Sequence, residues 1–129
     1  MVLQRRDVEA PSQLPRVVLL LRGVSDEGFE LVARNDKLAM CSGCGGTFGD
    51  PFENIVIADR FFSFEHFGGS RETWFRVITF RLNLETRIWE LTSDRSEVFD
   101  RLSEDLTPEL VENQGNEGAD FTSFDFERF

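Results

Sequence analysis

Between Phe61 and Leu82 apolar and polar residues take turns, and a period of two is what a strand with one buried face requires. In Phe61 to Phe67, the side chains of Phe62, Phe64 and His66 share one face. Phe61, Ser63, Glu65 and Phe67 share the other. Thr73 to Leu82 sets Trp74, Ile78, Phe80 and Leu82 against Phe75 and Val77. Gly68 to Glu72 between them reads as a turn, because its glycines accept positive φ without a steric penalty. Two such runs joined so closely pair antiparallel.

The same pattern extends in both directions. Asn83 to Thr86 turns the chain back and Arg87 to Thr92 returns along Thr73 to Leu82. Ile55 to Ala58 is a short strand ahead of a tight Asp59-Arg60 turn. Val17 to Arg22 does not alternate, its first five residues all being apolar, as in a strand buried on both faces, and it pairs with the alternating run Phe29 to Arg34. Val2 and Leu3 look like the end of a strand cut short by the start of the chain. Ser96 to Leu102 fits either a short helix capped by Ser96 or a ragged strand. Thr107-Pro108-Glu109 has the order of N-cap, first-turn proline and acid that opens a helical turn. The expected fold is mainly β: an antiparallel meander of hairpins in one small domain spanning residues 1–129, with at most a short C-terminal helix. A chain of 129 residues buries a sufficient core without crosslinks. Its 14 phenylalanines and no tyrosine supply rings with no polar tip to satisfy.

Charge narrows the partners. Glu97 to Phe129 holds ten acids and two bases, against fourteen and twelve in the other 96 residues. Nucleic-acid binding is disfavoured and none is expected, since phosphate contacts need clustered Lys and Arg. The acidic end is either a solvated surface or a dock for a basic partner. Its rings at Phe121, Phe124, Phe126 and Phe129 argue that it packs on the body. The longest apolar run, Val17 to Leu21, is far short of the ~20 residues of a membrane helix, so no membrane insertion is expected. Nothing resembling a signal peptide follows Met1. The chain is therefore cytoplasmic, or begins after a leader has been removed.

Distinctive chemistry is concentrated in Leu38 to Ser70, which contains both cysteines, the single histidine and six of the ten glycines. Asn35 to Phe52 reads as a long irregular connection. Cys41-Ser-Gly-Cys44 has the spacing of a zinc knuckle, of a redox pair or of a local disulfide. Zinc in one chain would need Cys41, Cys44, His66 and a carboxylate such as Asp50, because a structural site takes four ligands. With one C-x-x-C pair only, no metal and no cofactor is expected. A thioredoxin-like catalyst would place Cys41 at a helix N-terminus, and Gly45-Gly46 in β-rich surroundings argue against that. What remains is a local disulfide or two thiols in a tight loop; the x-x spacing permits the disulfide through a tight turn at Ser42-Gly43 under oxidising conditions.

Three further ligand candidates stand beside these cysteines. Asp50, in Gly49-Asp50-Pro51-Phe52, either bonds nearby backbone N–H groups or contacts a ligand. His66 is either a packed core side chain or a base, although no serine or cysteine is fixed beside it. Trp74 and Arg76 alternate on one side of their strand and form either a stacked recognition patch or, for Trp74, cross-strand packing with Trp89. No phosphate loop, HExxH helix or nucleophile elbow is present.

The ordered segments NDK (Asn35–Lys37), CSGCGGTFGDPF, HFGGS and the Trp/Arg-containing strand after it resemble those of a group of uncharacterised bacterial exported proteins. The likeness runs from Val2 to Leu91, and more loosely through LTPEL. It implies a periplasmic or secreted location, where Cys41–Cys44 would stay oxidised, and it implies no assigned activity. That group often carries a leader and an Asp/Gly-rich segment similar to an FG-GAP or VCBS calcium loop. This chain holds neither, so by that likeness it is truncated at its N-terminus and takes over no metal site.

The favoured function is a non-enzymatic envelope or secreted module that binds a protein or other surface ligand. The alternatives are a redox or metal-site enzyme using Cys41, Cys44, His66 and Asp50, and a small acidic inhibitor or immunity-type protein.

Overall fold

The computed structural model describes residues 1–4, 9–113 and 118–127, with the backbone alone at Glu27. Among the described residues eight strands form two antiparallel sheets. The first sheet holds β1 (Val2–Leu3), β2 (Arg16–Val24) and β3 (Gly28–Ala39), in that order. The second is a meander of β4 (Phe52–Ala58), β5 (Phe61–Gly69), β6 (Glu72–Leu82), β7 (Trp89–Asp100) and β8 (Glu109–Glu112). The mainly β hairpin architecture read from the sequence is the one observed.

The period of two sorts β5 as expected: Phe62, Phe64 and His66 are buried while Phe61 is exposed. Phe62 faces Phe80 and Phe64 faces Ile78 across the β5–β6 ladder, so large apolar groups meet in cross-strand pairs. Both sheets feed one core: Val18, Leu38 and Ala39 from the first, and Phe62, Phe64, Ile78, Phe80 and Leu91 from the second. The C-terminal segment closes it. Phe121, Phe124 and Phe126 are all buried, and Phe80 meets the rings of Phe121 and Phe124 edge-on at 5.5 Å. The tail docks as its rings imply; Phe129 lies outside the described residues, as does most of the polar loop before Ala119.

Four local expectations are corrected and one open alternative is resolved. The irregular connection starts at Met40, not Asn35, because Asn35 to Ala39 continue β3. Asn35 lies opposite Val18, and Leu38 and Ala39 are fully buried. The run β2 is buried on both faces only at Arg16, Val17 and Val18; Leu19 to Leu21 are half-exposed. Of the two alternatives for Ser96 to Leu102 the strand is observed, as β7 through Asp100, and no helix forms there. Thr107-Pro108-Glu109 opens no helix either. Glu109–Glu112 instead pair with Arg95 to Val98, because the edge of β7 offers a ladder and a one-turn helix is unstable alone. Finally, Trp74 and Trp89 do not stack. Trp74 faces Val98, whereas Trp89 faces Leu82 and lies 4.9 Å from the Phe62 ring.

Candidate functional site

The site is built where β3 leaves the first sheet and the Met40–Pro51 connection enters the second. Two glycine pairs let these backbones touch. Gly46, at φ +63°, bridges Gly69; a Cβ there would lie 2.5 Å from the Gly69 carbonyl oxygen. A Cβ on Gly68 would lie 3.0 Å from the Gly45 Cα. The Thr47 N–H donates to the Gly69 carbonyl and the Gly69 N–H to that of Gly45, each at 3.0 Å. The glycines of CSGCGG and HFGGS thus serve one interlocked contact between distant segments.

Cys41 is buried, Cys44 is exposed, and their sulfurs lie at disulfide distance with the Cα atoms 5.2 Å apart. The Cys44 N–H donates to the Cys41 carbonyl at 3.1 Å, closing the tight turn that the x-x spacing permits. So short a closed loop adds little stability, about 1–2 kcal/mol; its effect is to fix the path of the connection.

Asp50 is anchored. Its two oxygens accept from the Arg16 guanidinium at 2.7 and 2.9 Å, and Oδ1 also accepts the Phe52 N–H at 3.0 Å. Partial burial opposes ionisation, but the Arg16 and Phe52 hydrogen bonds and the Arg16 charge hold this carboxyl below the usual range. Arg16 is itself buried; its Nε donates to the Met40 carbonyl at 2.8 Å and its guanidinium sits 5.2 Å from the Phe52 ring centre. Both aspects of this fork suit a strong bidentate pair.

His66 lies beneath this loop with no solvent exposure. Its Nε2 accepts the Met40 N–H at 3.4 Å, so the ring proton sits on Nδ1. Among the described residues Nδ1 has no partner. Burial, then the positive charges of Arg76 and Arg16, push its pKa down to about 3, against a smaller opposing pull from Asp50. This imidazole is therefore uncharged at neutral pH and enclosed in the core.

Arg76 forms the second fork. Nε and Nη2 donate to Asp94 at 2.8 and 2.7 Å, and Nη1 donates to the Phe126 carbonyl at 3.1 Å. Both partners are 4 % exposed, so the Trp74–Arg76 recognition patch is corrected: Arg76 points into the protein. The structure therefore brings Asp50, His66 and the cysteine pair into one neighbourhood, and places Trp74 against Gly68. Among the described residues no group of three or more His, Cys, Asp and Glu is placed to hold a metal ion.

Sequence reading missed Arg16, Asn35 and Asp94, the buried polar partners. Asn35 Nδ2 donates to the Phe121 and Phe124 carbonyls, the latter at 2.8 Å, and so ties the tail to β3. The usable signal was a lone polar residue bordering an apolar run, as Arg16 borders Val17 to Leu21.

His66 gives a testable pH dependence. Its folded-state pKa lies below the ordinary value near 6.5. Between those values the unfolded chain binds the proton and the folded chain does not. The stabilisation is complete above pH ~6.5 and is lost as pH falls toward ~3. Urea unfolding between about pH 7 and pH 5, above the carboxylate range, is expected to show wild-type stability falling more steeply than that of His66→Gln. Equal slopes would refute a buried, neutral His66.

A second feature lies away from this cluster. An open groove of about 350 Å³ runs between the sheets, lined by Leu19, Leu21, Ile55, Ile57 and Phe61 among others. Ile57 is 80 % exposed, and Phe29 and Leu31 on the adjoining hairpin are 76 % and 55 % exposed. Compared with protein-family models, curated proteins and solved structures, the chain matches none.

Proposed function

We propose that this protein is a non-enzymatic interaction module of the bacterial envelope or secreted space, binding a protein partner or other surface ligand through the apolar groove between its sheets. The observation that carries this is that Ile57 and Phe61, both exposed, line the groove, while Phe29 and Leu31 stand exposed on the hairpin that supplies Leu19 and Leu21 to its other wall. A folded domain seldom leaves so many large apolar groups in water on neighbouring elements unless a partner covers them. The enzyme reading has less support, because His66 is sealed, Asp50 is engaged by Arg16, and the cysteine sulfurs are at bonding distance. The cysteine pair suits an oxidising compartment, in keeping with the resemblance to exported proteins. Among the described residues no helix is long and apolar enough to cross a membrane.

The test is site-specific photocrosslinking in native cells. A photoreactive residue at position 57 is expected to yield one discrete adduct, which Phe61→Lys abolishes without altering the melting curve. The same residue at exposed Glu85 is expected to yield none. No adduct at 57, or the same adduct from both positions, would remove the basis for this reading.

A further inference from the structure

Among the described residues the last strand of the meander is paired along one edge only, and its geometry points to a second docking mode that does not depend on the groove between the sheets. We propose that β8 takes an extended basic segment of a partner protein as a sixth strand on the five-stranded sheet.

The backbone supplies the attachment. The Asn113 N–H donates to the Asp94 carbonyl at 2.9 Å, which makes Asp94 and Asn113 a hydrogen-bonded pair. Alternation along an antiparallel ladder then turns the N–H and C=O of Glu109 and Val111 toward β7. Those of Leu110 and Glu112 turn outward. Among the described residues, β8 pairs with β7 alone. An added strand would use these outward groups, as in other cases of β-augmentation.

The side chains supply the selectivity. A groove of about 280 Å³ beside β8 is lined by Phe75, Val77, Arg95, Glu97, Leu110 and Glu112. The register sets Phe75, Glu97 and Leu110 in one row, and Val77, Arg95 and Glu112 in the next. Leu110 is 69 % exposed. Alternation sets Lys or Arg of an incoming strand on the face of Leu110 and Glu112, with their stems over Leu110 and their charges reaching Glu112 and Glu97, while its apolar side chains share the opposite face with Val111.

Charge chooses among occupants. Glu97 to Glu112 contains six acids and one base, in a chain of net charge −10. A second copy would set Glu109 and Glu112 against like charges, a device by which proteins protect sheet edges from self-pairing. A basic strand meets attraction instead, and electrostatic complementarity of this kind fixes partner and register.

The probe is an N-acetylated, C-amidated heptapeptide, Lys-Val-Lys-Val-Lys-Val-Lys, titrated into the isotopically labelled full chain and followed by amide chemical shifts. Saturable shifts centred on Glu109 to Glu112 are expected, and none with the Glu-Val counterpart. Leu110→Pro removes one outward N–H while leaving the β7 ladder intact, and is expected to weaken binding by about tenfold or more. The charge variant Glu97→Lys/Glu112→Lys, which spares the backbone, is expected to do the same and reads the proposal if the proline variant fails to fold. Absent shifts, unchanged affinity in the charge variant, or equal binding of both peptides would overturn the proposal. Shifts centred on Ile55 to Phe61 would overturn it too, while leaving the groove between the sheets as the binding site.

Discussion

Removal of Asp120 to Phe129 is expected to leave the chain unfolded at room temperature. Phe121, Phe124 and Phe126 are 1 %, 4 % and 7 % exposed. Burying a phenylalanine contributes about 1.5–3 kcal/mol, so three contribute about 5–9 kcal/mol. A domain of this size has about 5–15 kcal/mol of stability in total. The deletion also strips the Asn35 amide of its two carbonyl acceptors and Arg76 of the Phe126 carbonyl. Each buried donor left unmatched costs about 1–3 kcal/mol more. Near-ultraviolet circular dichroism and urea unfolding check this. A cooperative transition with an unshifted midpoint would show that the aromatic end contributes nothing. Phe121→Leu keeps most of the volume and is expected to cost only a fraction of the deletion, which separates loss of packing from loss of chain.

The hairpins and the docked tail were legible because each rests on a local signal: alternation from Phe61 to Leu82, glycine turns, and rings in an otherwise polar end. What stayed hidden is non-local. Period two assigns Arg76 and His66 to a face, yet it does not say whether that face looks inward. Arg76 is tolerated inside only because Asp94 arrives from the next strand. Likewise, the helix-capping cues at Thr107-Pro108 are visible in a four-residue window, whereas the vacant edge of β7 that wins the segment is not. Asn35 shows the same limit. Its polarity suggests a loop, but its partners are the Phe121 and Phe124 carbonyls, far along the chain. Gly68 and Gly69 read as part of a turn but end strand β5, and no local signal marks them and Gly45–Gly46 as two surfaces of a single contact.

The Arg76–Asp94 pair carries the largest effect expected of any single substitution. Its side chains are 5 % and 0 % exposed, so both charges are almost entirely withdrawn from water. Withdrawal is tolerable because the fork satisfies the carboxylate with two short hydrogen bonds, 2.8 and 2.7 Å, while Nη1 serves the Phe126 carbonyl. Asp94→Ala leaves the guanidinium buried without its counter-charge, which is expected to cost about 3–5 kcal/mol. Arg76→Met strands the carboxylate instead and is expected to cost a similar amount. The double variant Arg76→Met/Asp94→Leu removes both charges together. An apolar replacement of a buried pair is often near neutral, but here it also deprives the Phe126 carbonyl of a donor, worth about 1–3 kcal/mol. The double variant is therefore expected to lie below wild type by about that amount and above both single variants. Urea midpoints at constant slope read all four proteins. If the double variant loses the sum of the two single losses, the residues act independently, and the fork is not what allows Arg76 to lie inside the sheet.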